Sequence, residues 1–316
     1  MEDYKNFAWA ERYRPREVSD LIATDEIRTD VQRILDQGIV PNMLLVGPPG
    51  IGKTTIARLL VDKLDADSTI VNASLKGNID TLRNEIQQFA GTVSLTGNHK
   101  YVILDEADYL NPTSTQPALR NFIDTYTKNC GFILTANYVN RLIVPLRERL
   151  ETHEFTIKKS DIPRLVMQMT IRCEEILQKE GVEYDKPSLV KFIGSLAPNW
   201  RLVLIELQRY ARRVGSIDSG IMATNSKSAA IGGLVGAVVG RDYGAARKWI
   251  GEHADNAAQE FFTELMEALE PRTSAKTLPD LFIIVARYQY QSAFVADQQI
   301  NFAACLAEIM TDCIFE

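Results

Sequence analysis

The chain has 316 residues, 46% of them hydrophobic and 24% charged, with four cysteines and a net charge of −6. That balance excludes a disordered, collagen-like or disulfide-scaffold protein, and at roughly 100–200 residues per domain it predicts two or three domains. Bulk negative charge argues against a protein that coats nucleic acid. Residues 155–215 nevertheless carry 11 basic and 7 acidic side chains, so a local basic stripe is available. Cys130, Cys173, Cys305 and Cys313 are too scattered for a metal knuckle and read as small buried hydrophobes in a reducing compartment. The opening MEDYKNFAWAERYRP has no apolar signal region. The longest apolar run, Ala229–Gly240, is shorter than the roughly 20 residues that span a bilayer, so a buried helix, a cytoplasmic location and no membrane partner are expected.

In chain order, Met43–Val46 reads as a buried strand ending at a Gly-rich turn, followed by a helix with Ile56, Leu59, Leu60 and Leu64 at helical spacing. Thr69–Val71, Tyr101–Leu104 and Gly131–Thr135 read as three further strands separated by helix-length segments. This alternation predicts an α/β fold with a parallel sheet covered on both faces. From about residue 156 the pattern turns helical: Ile162–Glu180 ended by Gly181, then Lys186–Leu196 and Arg201–Val214, with no returning strand signal. Gly215–Lys227 reads as a linker or turn. Helices are then expected around 229–240, 242–252, 255–269, 277–291 and 296–314, without a 20–50-residue repeat. The expected domains are 1–155 (nucleotide-binding), 156–220 (small, helical) and 221–316 (helical).

The run Gly47-Pro48-Pro49-Gly50-Ile51-Gly52-Lys53-Thr54 fits G-x-x-x-x-G-K-[ST] in full. Its glycines let successive backbone N–H groups curl around phosphate oxygens, and the following helix adds the positive end of its dipole. Lys53 then reaches the β- and γ-phosphates, and the Thr54 hydroxyl is a hard ligand for Mg²⁺. A nucleoside triphosphate and Mg²⁺ are expected here, held by Gly47, Gly50, Ile51, Gly52, Lys53, Thr54 and Thr55. Asp105 and Glu106 follow the third strand, at the strand end where open α/β sheets place ligands. Asp105 suits the metal, through water, and Glu106 suits a general base acting on the attacking water. A solvated loop would read the same in isolation; the preceding phosphate turn favours catalysis.

GPPGIGKT and LDEAD in this order resemble an AAA+ ATPase. WAERYRP followed by DLIA, NASLKGNIDTLRNEI, and Thr135-Ala136-Asn137 are similar to sliding-clamp-loader ATPase subunits of the replication factor C family, including its T4-type bacteriophage members. The similarity spans about residues 9–215, and the helical tail fits that family's collar. It implies an AAA+ domain, a helical lid and an oligomerising collar. It implies DNA-replication partners: sister copies in a ring or spiral, a second clamp-loader subunit, a sliding clamp, and primer–template DNA that stimulates hydrolysis.

The resemblance also implies roles. Asn137 matches sensor 1. Arg149, in Pro145-Leu146-Arg147-Glu148-Arg149-Leu150, matches the finger donated to a neighbour's ATP; the family's Ser-Arg-Cys is here Glu-Arg-Leu, and Arg147 is the rival. Arg201 matches the sensor-2 arginine, after Ala-Pro-Asn-Trp in place of the usual Gly-Asp-x. Arg12, Tyr13 and Ile22 match the segment around the adenine. Lys76 and Arg83 match template-strand contacts, with a solvated helix face as the plainer alternative. Gln116 and Arg120 match a helix coupling DNA contact to the acidic pair. Competing readings are another AAA+ remodeller, such as a helicase loader or branch-migration motor; a non-hydrolysing scaffold, which predicts damage to motifs that are intact here; and a metabolic P-loop kinase, which needs no such tail.

Overall fold

The computed structural model describes residues 8–74, 79–92, 94, 99–224, 226–253 and 258–315. The chain forms two compact units, 1–221 and 222–316. In the first, α1 (Trp9–Arg12) and α2 (Asp25–Gln37) precede β1 (Met43–Val46), α3 (Lys53–Lys63), β2 (Ser68–Asn72), α4 (Ile79–Ala90), β3 (Lys100–Asp105), α5 (Thr115–Tyr126), β4 (Cys130–Ala136), α6 (Val144–Arg147) and β5 (Glu151–Glu154). The five strands form one parallel sheet in the order β2-β3-β4-β1-β5. The inner strands β1, β3 and β4 are buried on both faces, as is usual in a parallel sheet. Leu44, Val46, Leu104 and Leu134 pack into one cluster, while Met43, Leu45, Ile103 and Ile133 pack into the other. Register sets Val46 beside Ala136 and Leu104 beside Leu134, so the ends of β1, β3 and β4 open onto one crevice.

β5 is the strand the hydrophobic pattern does not reveal. Its sequence is Glu-Thr-His-Glu, and it is an edge strand paired only with β1. Backbone pairing rather than apolar alternation defines it.

The rest of the first unit is α7 (Ile162–Glu180), β6 (Glu183–Tyr184), α8 (Lys186–Leu196), α9 (Trp200–Val214) and β7 (Ser216–Ile217). Gly181 ends α7 in the left-handed conformation at φ 68°. The expectation of no strand beyond residue 156 is corrected by β6 and β7, which pair in parallel over two residues each. Segments that short carry no readable period. The helices bury Leu165, Met169, Phe192, Val203 and Leu207 in a common core, and Trp9 of α1 joins it. The Trp9 amide donates to Gln208 Oε1 at 3.0 Å.

After α10 (Ile221–Thr224), the second unit holds α11 (Ser226–Val239), α12 (Tyr243–His253), α13 (Ala258–Leu269), α14 (Leu278–Gln291) and α15 (Gln298–Asp312). The apolar run lies in α11 and buries Leu234, Val235 and Val238. Phe262, Leu281, Phe302 and Leu306 share that core, with the Phe261 and Phe302 rings 4.2 Å apart.

Candidate nucleotide site

The turn between β1 and α3 is built from glycines for reasons of space. A Cβ on Gly47 would lie 2.8 Å from Phe155 Cβ, and one on Gly50 would lie 1.8 Å from Asn199 Oδ1. Gly50 also holds φ at +75°, which favours a residue without Cβ. Lys53 opens α3. Its ammonium donates to the carbonyls of Gly47 (2.7 Å) and Pro48 (2.8 Å) and to Asn137 Oδ1 (2.9 Å). Burial draws its pKa down to about 8, against the pull of Asp105 and Asp108 in the other direction.

Across the crevice, the Thr54 hydroxyl donates to Asp105 Oδ1 at 2.7 Å, and the Thr135 hydroxyl donates to the same oxygen at 2.6 Å. Thr135 Oγ in turn accepts from the Glu106 amide at 3.1 Å. Glu106 sits at φ 59°, ψ 43°, a left-handed conformation uncommon for a residue with a side chain. Asp108 is buried: Oδ2 accepts from the Tyr138 amide at 3.3 Å, and Oδ1 has no partner among the described residues.

This geometry fits a Mg²⁺–nucleotide. A hydroxyl and a carboxylate, both hard oxygen donors, meet beside an ammonium and the N-terminus of an eleven-residue helix. The crevice continues between the N-terminal segment and the helices after the sheet. It is lined by Tyr13, Ile22, Gly50, Ile51, Gly52, Thr54 and Thr55 on one side and by Met169, Arg172, Trp200 and Arg201 on the other. The Arg201 amide donates to the Gly50 carbonyl at 3.3 Å, docking the start of α9 on the phosphate turn.

Arg12 does not join the lining. Its guanidinium pairs with Glu180 and lies over the Tyr13 ring, 4.9 Å from the centroid. Gln116 is wholly buried on α5. Its Nε2 donates to the carbonyls of Leu110 and Arg141, both at 2.9 Å, and its Oε1 accepts from the Ile143 amide at 2.8 Å. It therefore ties the segment after β3 to the segment after β4. Arg120, on the same helix, donates to Asn121 Oδ1 at 3.0 Å. Arg149 bonds Asp124, while Arg147 Nε has no partner among the described residues. Arg83 is exposed on α4, and Lys76 lies outside the described residues. Sequence reading assigns no individual role to Thr135, Arg14 or Arg172. Thr135 reads as a strand residue, and Arg14, whose Nη1 donates to Thr55 Oγ1 at 3.2 Å, hides in the charged RYRP run.

Residues 43–157 match the ATPase family associated with various cellular activities (AAA). Residues 161–223 match the sliding-clamp-loader large subunit, AAA+ ATPase lid domain. Among similar proteins, the sliding-clamp-loader large subunit of Escherichia phage RB69 is 30% identical over 216 residues, 67% of this chain and 67% of that one. The protein of the same description from Enterobacteria phage T4 is 28% identical, over 93% of this chain and 92% of its own length. The replication factor C small subunit of Archaeoglobus fulgidus is 35% identical over 66% of this chain. The chain spans 64% of that archaeal relative and 63% of a probable replication factor C subunit 5 from Dictyostelium discoideum. A Thermotoga maritima RuvB Holliday junction branch migration motor has a similar fold, with TM-score 0.51 and 17% identity over 68% of this chain and 72% of its own. At that identity the likeness speaks to fold alone.

Fold and site thus define a P-loop ATPase of the AAA class. Within that class, the chain belongs to the sliding-clamp-loader ATPases of the replication factor C family. No helix among the described residues is long and apolar enough to cross a membrane.

Proposed function

We propose that the chain is the ATPase subunit of a loader that opens a ring-shaped sliding clamp and closes it around primer–template DNA. The observation that carries the reading is the meeting of Thr54 with Asp105 and of Lys53 with Asn137 at the ends of three neighbouring strands. Lys53 leaves its backbone carbonyls to hold phosphate oxygens, and Asn137, released with it, orients the attacking water. Glu106 takes that water's proton. Thr54 and, through water, Asp105 would hold Mg²⁺, which would supply charge neutralisation on the triphosphate. Tyr13 and Ile22 flank the base, and Arg201 closes the lid on the phosphates.

Hydrolysis in this account needs a second copy. Arg149 of one subunit enters the neighbour's site, where a cation stabilises charge in the transition state. ATP therefore favours an assembled spiral of sister copies and a second loader subunit, joined through residues 222–316, over a collapsed state. Lys76 and Arg83 touch template-strand phosphates, a contact independent of sequence. Arg120 and Gln116 pass that contact to the acidic pair. Hydrolysis then loosens the subunit contacts and frees the closed clamp on DNA in the cytoplasm. The test is ATP turnover with and without the co-expressed second subunit, clamp and primed DNA. Strong synergy among the three supports the reading; turnover indifferent to the clamp overturns it in favour of another AAA+ remodeller.

A further inference from the structure

Arg149 is anchored on one edge. Its Nε donates to both carboxylate oxygens of Asp124, at 2.7 and 3.0 Å, and its Nη1 donates to the Pro145 carbonyl at 2.7 Å. The anchor leaves Nη2 outside it. Both side chains are partly exposed, 32% for Arg149 and 49% for Asp124. An ion pair so exposed adds little to stability. A planar guanidinium held at two of its nitrogens is, however, fixed in direction.

Asp124 lies on α5, two turns after Gln116. Gln116 grips Arg141 and Ile143, and Asp124 grips Arg149, so one helix holds the whole segment 141–149 at both ends. A shift of α5 must therefore carry the guanidinium with it. We propose that Asp124 is a positioning residue that aims Arg149 at the neighbouring subunit's nucleotide. This rests on Arg149 being the finger. Asp124 touches no reacting atom; it acts through the orientation of the arginine, and its effect falls on the neighbour's site rather than on its own.

The test is steady-state ATP hydrolysis by the assembled complex with clamp and primed DNA. Asp124→Asn keeps one acceptor and removes the charge and the second oxygen. It should lower kcat by about ten- to a hundredfold, the cost of misplacing a catalytic group by about an ångström, and leave KM for ATP little changed. Asp124→Glu should restore most of the rate. Added to Arg149→Ala, Asp124→Asn should cost nothing more, because two residues acting as one unit are non-additive. Lys53→Ala chains also carrying Asp124→Asn should inhibit wild-type chains mixed with them more than Lys53→Ala chains do. A slow Arg149→Ala with Asp124→Asn at the wild-type rate, or a double variant slower by the product of the two losses, overturns the role of Asp124 and leaves the finger standing. Arg149→Ala at the wild-type rate removes the finger and the inference together.

Discussion

The Lys53 ammonium and the Asn137 side chain, 84 residues apart in sequence, are joined by a hydrogen bond of 2.9 Å. This bond joins the phosphate turn to the residue that follows β4. In the proposed mechanism an anion that draws Lys53 away also frees Asn137, so binding and readiness for hydrolysis would change in one step.

Lys53→Ala should abolish ATP affinity, because the turn loses the cation that meets the β- and γ-phosphates. Titration calorimetry checks this, and tight binding by the variant contradicts the phosphate role. Asn137→Ala should retain binding and lose turnover.

Glu106→Gln should bind ATP and assemble but stall. The amide keeps the shape and the left-handed backbone at φ 59° while removing the base. General-base assistance contributes about 10²–10⁴-fold, so single-turnover hydrolysis should fall by that order. Turnover equal to wild type refutes the assignment.

Gly50→Ala tests the docking of α9 on the phosphate turn. The new methyl would meet Asn199 Oδ1 at 1.8 Å at a backbone φ of +75°. The left-handed conformation alone costs about 1–2 kcal/mol of folding stability for a residue with Cβ, and displacing Asn199 from the turn should in addition weaken ATP binding. Nucleotide titration of the folded variant gives the number, and unchanged affinity contradicts a closed lid.

Much of this site is written in short segments. The phosphate turn and the Asp105–Glu106 pair are legible because each follows an apolar strand, and α7 is legible to the residue because Gly181 stops it. The edge strand β5 is not, since its four residues are polar and its partner β1 lies more than a hundred positions away. Asp124 escapes notice for a similar reason: nothing local distinguishes a helix-surface aspartate, and only the fold brings Arg149 to it. Arg12 is matched by position alone, and its side chain turns toward Glu180.

The cysteines should be inert in the native protein. All four are buried and free. Burial pushes the Cys130 and Cys313 thiols up to about 11 and raises Cys173 and Cys305 as well. An aromatic disulfide reagent at pH 8 should label none of them until denaturant is added, and then all four. The unfolded thiols ionise first, at their ordinary value near 9, so their contribution to stability is complete below pH 9 and declines as pH rises toward 11. Thermal melts across that range measure it, and Cys130→Ala should flatten the slope. Rapid native labelling contradicts the burial.

The central claim is that each nucleotide site waits for an arginine from the adjoining copy, and dilution tests it most directly. ATP turnover per site should collapse as the complex, with its second subunit, clamp and primed DNA, is diluted below its assembly range, and Arg149→Ala should be slow at every concentration. Turnover per site that stays constant down to isolated monomers would contradict the claim.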